Sequence, residues 1–258
     1  MEKKSVIISL VILVFLILIV IWFSFGRESK VIDIKNMPAE EVKGLIKQAN
    51  THVQSYHLNV NQNFSFRINL LGESVHSSFS FALEGDIDKI KRELSLKGKG
   101  FVNAPDSNGR SVQNTAGKNV EYEITAKNSI MTIEVDGKVV ESKPINDDSW
   151  NDQDWQSRSF SLLENGNFEI IGEDRYTYQL KVIPDIGELA NLTNSGINRG
   201  DTEESFQQDL RKNIHNYSVE LWVNKHTLLI ERSLISVNVD SNVLGIYMLV
   251  DARISDVK

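Results

Sequence analysis

The chain contains no cysteine in 258 residues, which excludes a disulfide framework, a thiolate metal site, a cysteine nucleophile and a lipid-modified cysteine anchor. A basic surplus is also missing. Lys and Arg number 28 against 35 Asp and Glu, for a formal net charge of −7, so phosphate neutralisation has no surface to work with and nucleic acid is not an expected partner. The sequence holds no G-x-S-x-G, H-E-x-x-H, Walker or G-x-G-x-x-G motif, and its five histidines (His52, His57, His76, His215, His226) form no i, i+4 pair. Neither an enzyme nor a zinc protein is expected, and no cofactor is implied. A repeat of 20 to 50 residues is absent as well, which argues against a solenoid or propeller.

Long hydrophobic runs are absent with one exception. Residues 6–25 carry no charge and are interrupted only by Ser9 and Ser24. Twenty residues at 1.5 Å rise span about 30 Å, the thickness of the bilayer hydrocarbon. Seventeen of them are Leu, Ile, Val or Phe, and their summed insertion preference is on the order of −5 to −10 kcal/mol. A cleaved signal would have a shorter apolar region and a small-x-small exit, whereas this run ends Trp22-Phe23-Ser24-Phe25-Gly26-Arg27. The expectation is a single-pass anchor in the cell membrane. Residues 1–5, with Lys3 and Lys4, form a cytoplasmic tail, residues 26–37 a polar stalk, and residues 38–258 an extracytoplasmic domain. Arg27, Lys30 and Lys35 pull the other way, but long domains translocate largely regardless of charge. Three N-x-S/T sequons, at Asn63, Asn191 and Asn216, are glycosylation candidates on an outward-facing domain.

After the stalk the pattern takes two periods in succession. Pro38 suits a first helical position, Glu40 and Glu41 suit a helix N-terminus, and Val42, Ile46, Ala49 and Val53 recur at helical spacing, so an amphipathic helix is expected over 39–54. From Leu58 the period becomes 2. Leu58, Val60, Gln62, Phe64, Phe66, Ile68 and Leu70 share one face of a strand and His57, Asn59, Asn61, Asn63, Ser65, Arg67 and Asn69 the other. Alternation resumes at Ser77 to Leu83, and again at Ile90 to Leu96 after a turn at Gly85-Asp86. Strands over 120–126, 131–135 and 138–142 follow, the last two joined by Asp136-Gly137, a strong hairpin pair. An acidic, tryptophan-bearing stretch fills 143–166, and its densest part, 147–154, reads as a solvated acidic loop. Strands at 168–171 and 176–182 come next, then a helical insertion at about 185–216, then three strands over 217–224, 228–239 and 243–254. The sum is an α+β domain, a curved antiparallel sheet with helices packed on one face, preceded by one transmembrane helix.

This order resembles the LolA-like half-barrels, the superfamily of bacterial lipoprotein carriers and glycolipid-binding envelope lipoproteins. The phrase Glu220-Leu221-Trp222-Val223-Asn224-Lys225-His226-Thr227 is similar to that family's Trp-bearing strand and polar turn, and Ser55-Tyr56-His57-Leu58 looks like its first strand after the helix. The resemblance implies an apolar sheet face that shelters acyl chains or another hydrophobic partner. The chain departs from the family in its uncleaved anchor, which puts free shuttling across an envelope in doubt.

Phe64, Phe66, Phe79, Phe81, Tyr122, Tyr176 and Tyr178 fall on the apolar faces of successive strands. They suit either a core packed under the helices or the lining of a ligand cavity. Two functions therefore stand open: a membrane-tethered domain binding a lipid or other hydrophobic ligand, and a structural or interaction ectodomain with an envelope protein partner and no small ligand. The acidic stretch 147–154 offers oxygen atoms but lacks the glycine and the bidentate Glu of an EF-hand, so no metal is expected there.

Overall fold

The computed structural model describes residues 31–70, 73–103, 117–146, 150, 154–185, 214–240 and 244–258. The anchor run 6–25, Asn191 and most of the expected insertion lie outside these residues. Among the described residues no helix is long and apolar enough to cross a membrane. The chain divides into two units, Met1–Ile32 and Asp33–Lys258, and the second is described below. Ile34, expected in the stalk, is buried, so the compact unit takes in part of that segment.

Helix α1 spans Ala39–Thr51 and buries Val42, Ile46 and Asn50, the face that the helical spacing marks out. Eight strands follow: β1 (Ser55–Leu70), β2 (Glu73–Asp88), β3 (Glu93–Asn103), β4 (Lys118–Lys127), β5 (Ile130–Val135), β6 (Lys138–Pro144), β7 (Asn167–Glu173) and β8 (Thr177–Ile183). A second helix, α2 (Trp155–Glu164), lies between β6 and β7. The last strands are β9 (Ile214–Asn224), β10 (Ile230–Asp240) and β11 (Leu244–Ser255). Asn128 and Ser129, and again Asp136 and Gly137, all have positive φ, the two-residue geometry that matches strand twist in a tight hairpin.

The eleven strands of the described residues form one open antiparallel sheet in the order β6-β5-β4-β3-β2-β1-β11-β10-β9-β8-β7. Two meanders therefore run outward from the middle, where the first strand pairs with the last over His57 to Ile68 against Ser255 to Leu244. The chain passes from one sheet edge, β6, to the other, β7, through a connection tied down on its way. Ile145 N–H donates to the Ser129 carbonyl at 2.8 Å, Trp150 is buried, and the Trp155 indole donates to Ser233 of β10 at 2.8 Å.

Three sequence expectations shift. The turn placed at Gly85-Asp86 lies at Lys89 to Arg92, and Gly85 sits inside β2 with φ 155°, where a Cβ would fall 1.9 Å from the Ser95 carbonyl oxygen. That glycine marks a close approach of β3, not a chain reversal. The stretch 143–166 contains α2, whose three serines, glutamine and arginine dilute its apolar signal. Ile214 to Asn216, expected in a helical insertion, open β9, because Ile214 pairs with Val239 and is buried.

Candidate functional site

The apolar side of the sheet has two unequal halves. Over β8 to β11, Leu180, Val219, Leu221, Val223, Ile235, Val237 and Ala252 are fully buried. The two helices provide this cover: α2 binds Ser233 through Trp155 and Ser159, and Asn50 of α1 bonds the Leu228 carbonyl and the Ile230 N–H. Over β1 to β5 the same face is mixed: Tyr56, Leu58, Val60, Ile87, Leu94, Leu96, Val120, Ala126 and Met131 are buried, whereas Phe64, Phe66, Phe79, Phe81, Leu83, Tyr122, Ile124 and Ile133 are only half-buried. The register makes this one surface. Phe64 faces Phe79, Val60 faces Leu83, and Leu96 faces Ile124 on adjacent strands.

Five rings form a continuous row across the half-buried part. Phe66 stacks on Phe79 with centroids 6.2 Å apart, Phe79 on Phe81 at 6.4 Å, and Phe81 meets Tyr122 edge to face at 5.0 Å. Phe64 contacts both Phe66 and Phe79, at 6.2 and 6.3 Å. Phe81 and Tyr122 stand on β2 and β4, with β3 between them. They meet because Gly100 leaves the space free: a Cβ there would lie 2.7 Å from Tyr122 and 2.8 Å from Phe81. Burial, and then the Asp136 carboxylate, raise the Tyr122 phenol above its ordinary value, so the ring presents a neutral hydroxyl.

Of the seven aromatic residues singled out in the sequence, these five come together and two do not. Tyr178 is 2% exposed in the half under the helices, with the Lys225 ammonium 4.9 Å from its ring centre. Tyr176 precedes β8 and is 55% exposed beside Arg175. The alternation that places Tyr176 and Tyr178 on one face fails because Tyr176 belongs to the bend, where strand parity does not apply. Residues that sequence reasoning did not select include Gln62, on the aromatic face opposite Phe81, and Gly98 and Gly100, whose spacing inside a strand was the available signal.

Asn63 and Asn216 are exposed on the polar face, in β1 and β9. Asp154, expected in a solvated acidic loop, is buried instead. Its carboxylate accepts from the Tyr56 hydroxyl at 2.9 Å and pairs with Lys89 at 2.8 Å. Burial alone would raise its pKa, but Lys89 and the Ser157 and Tyr56 hydroxyls outweigh that and hold the carboxyl below the usual range. Among the described residues no group of three His, Asp or Glu could hold a metal ion. Grooves of about 350, 550 and 680 Å³ occur, and the side chains that line them come mainly from the polar face, including His57, Asp86, Lys97 and Glu121. The aromatic row, a half-buried trough of side chains on the opposite side, meets these grooves only at Phe66 and Tyr122.

No protein-family model matches the sequence, and no curated protein matches it at a significant level. Among solved structures, a DUF1329 family protein from Desulfovibrio piger aligns with 86% of this chain and 92% of its own, at 10% identity and a TM-score of 0.27. A LolA superfamily protein from Nitrosomonas europaea aligns with 85% of this chain and 92% of its own, at 11% identity and a TM-score of 0.23.

Proposed function

We propose that this protein is a membrane-tethered, extracytoplasmic binding domain that holds a lipid or other hydrophobic ligand on the open half of its apolar sheet face. The observation that carries the reading is the row Phe66, Phe79, Phe81 and Tyr122, continuous at 5.0 to 6.4 Å yet only half-buried. A packed core would take these rings out of water as thoroughly as it takes Leu221 or Val237. Left half-exposed on one contiguous surface, they form the kind of apolar patch that soluble surfaces rarely carry without a partner. The role is binding, not catalysis. No titratable constellation faces the trough among the described residues, where Lys118 stands at the rim, paired with Asp136.

The run 6–25 serves in this reading as the single-pass anchor, with residues 1–5 cytoplasmic and the sheet outside the cell membrane, so the trough works near a lipid source.

Photolabelling of the full chain in its own membrane with a diazirine-bearing long-chain hydrocarbon tests this reading. Label on peptides that carry Phe66, Phe79 or Tyr122, competed by unlabelled lipid, is the expected result. Label confined to residues 6–25 would leave the trough without a ligand.

A further inference from the structure

The trough is not purely apolar: besides the Tyr122 hydroxyl it holds Ser77 and Gln62, whose side chains bond no other side chain or backbone group among the described residues. Ser77 faces Phe66 across the β1–β2 pair and adjoins Phe79 on the same side of β2. It is 3% exposed, and its hydroxyl has no hydrogen-bond partner. Gln62 faces Phe81 and lies in the same row as the buried Val250. Its amide is half-buried and forms no hydrogen bond among the described residues. Buried hydroxyls and amides are nearly always bonded in folded proteins, so an orphan beside a candidate site calls for an acceptor or donor from elsewhere. Two other buried atoms among the described residues, Arg67 Nε and Gln156 Oε1, also lack a partner, but neither lies on the ring face of β1 to β4. Asn50, equally buried, uses its amide nitrogen on Ile46 and Leu228 and its oxygen on Gln156 and Ile230.

Charge is missing from the same surface. The side chains that share the face on β1 to β4, from Tyr56 and Ile87 up to Phe66 and Val102, include no acid and no base short of Lys118, and the charges in the groove that Ser77 and Phe66 also line, Arg67 and Asp240, are paired with each other at 2.6 Å. An ionised carboxylate or phosphate placed there would lose its hydration without gaining a counter-charge, whereas a neutral oxygen or amide would need only a hydrogen bond.

We infer that Ser77 and Gln62 are the polar anchors of the trough, and that its ligand is a neutral amphiphile whose ester, amide or alcohol group bonds one or both of them while its chain lies along the ring row. This inference rests on the proposed hydrophobic site and specifies its chemistry. Ser77 supplies a donor to a carbonyl oxygen, and Gln62 supplies both a donor and an acceptor. The binding orientation follows. The chain runs from the Ser77 end, over Phe79 and Phe81, toward Tyr122.

The test uses the full chain in liposomes of neutral phospholipid, with the diazirine hydrocarbon as the probe and three competitors of equal chain length: hexadecane, methyl palmitate and palmitic acid at pH 8. Methyl palmitate should displace the label from trough peptides about tenfold better than either of the others. In Ser77→Ala and in Gln62→Leu the advantage of the ester over hexadecane should shrink by about three- to tenfold, while Ser80→Ala, on the polar face, keeps it. Palmitic acid competing as well as the ester would overturn the inference, and so would an ester advantage unchanged in both variants. Wild-type protein that takes up no hydrocarbon label at all would remove the trough itself, a failure of the underlying site that is distinct from a site that binds without preferring the ester.

Discussion

The hydroxyl of Tyr56, in the first strand, donates to Oδ1 of Asp154 at 2.9 Å, although the two residues are 98 positions apart and Asp154 belongs to the connection between the two sheet edges. Lys89, from the β2–β3 turn, reaches the other carboxylate oxygen at 2.8 Å. A single buried acid thus ties the crossing connection to β1 and to the β2–β3 turn, just before α2 starts over β10. The half of the sheet that α2 covers and the half that stays open are separated at this point.

The tie is pH-dependent in a definite direction. Asp154 is held below its ordinary pKa in the folded protein, so the unfolded chain takes up the proton first as pH falls. Its stabilisation is complete above the ordinary aspartate value of about 4 and is lost as pH drops through the lower folded value. Asp154→Asn leaves Lys89 without its counter-charge and should cost about 2 kcal/mol at pH 7. Below pH 4 the variant's melting temperature should fall less steeply than the wild type's. Parallel curves for the full chain in detergent would mean that another carboxylate carries the acid sensitivity.

Two substitutions of identical chemistry distinguish the covered half from the open one. Leu221→Asp places a charge in a fully buried position under the helices and should prevent folding. Phe66→Asp has the same strand parity but lies in the half-buried row, where water can reach the carboxylate, so it should fold with a loss of roughly 1 to 3 kcal/mol. Arg67→Asp, on the polar face beside Asp240, should change stability by less than about 1 kcal/mol. Urea midpoints measure all three. An equal loss for Leu221→Asp and Phe66→Asp would show that the open half is as tightly sealed as the closed one.

Local pattern made much of this legible in the sequence. The strict alternation from Leu58 to Leu70 fixed the faces of β1, and with it the placement of Phe64 and Phe66 beside Phe79, Phe81 and Tyr122. The turn at Asp136-Gly137 was equally direct, because few residues other than Gly, Asn and Asp tolerate positive φ there. What could not be read was non-local. The pairing of β1 with β11 joins segments nearly two hundred residues apart, and no periodicity encodes it. Asp154 looked solvated because its neighbours in sequence are acidic, while its partners Tyr56 and Lys89 arrive from the other end of the domain. Tyr176 and Tyr178 looked equivalent because a bend hides inside an alternating string.

Gly100 is the position on which the ring row depends. A methyl group there would sit 2.7 Å from Tyr122 and from the Ser80 carbonyl oxygen, well inside contact distance. Gly100→Ala should therefore force Phe81 and Tyr122 apart at a cost of about 1 to 3 kcal/mol. Gly44→Ala provides the opposite control. Nothing lies within 4 Å of its added carbon, and it sits inside α1, so the change should stabilise by about 0.5 to 1 kcal/mol. Thermal melts of the full chain that shift the same way for both variants would contradict the steric account.

The proposed topology makes a residue-level prediction at Asn63. Its side chain is exposed on the polar face, opposite the ring row, so a glycan there would project away from the trough. Asn216 is exposed on the same side of β9. Expressed in a glycosylating eukaryotic host, the full chain should gain mass that an endoglycosidase removes, and Asn63→Gln and Asn216→Gln should each reduce the gain. Protease added to intact cells should then degrade the region beyond residue 30 and leave the anchor run in the membrane. A chain that stays unmodified and fully protected would place the sheet on the cytoplasmic side, where the run 6–25 could still anchor it but the trough would face the inner leaflet.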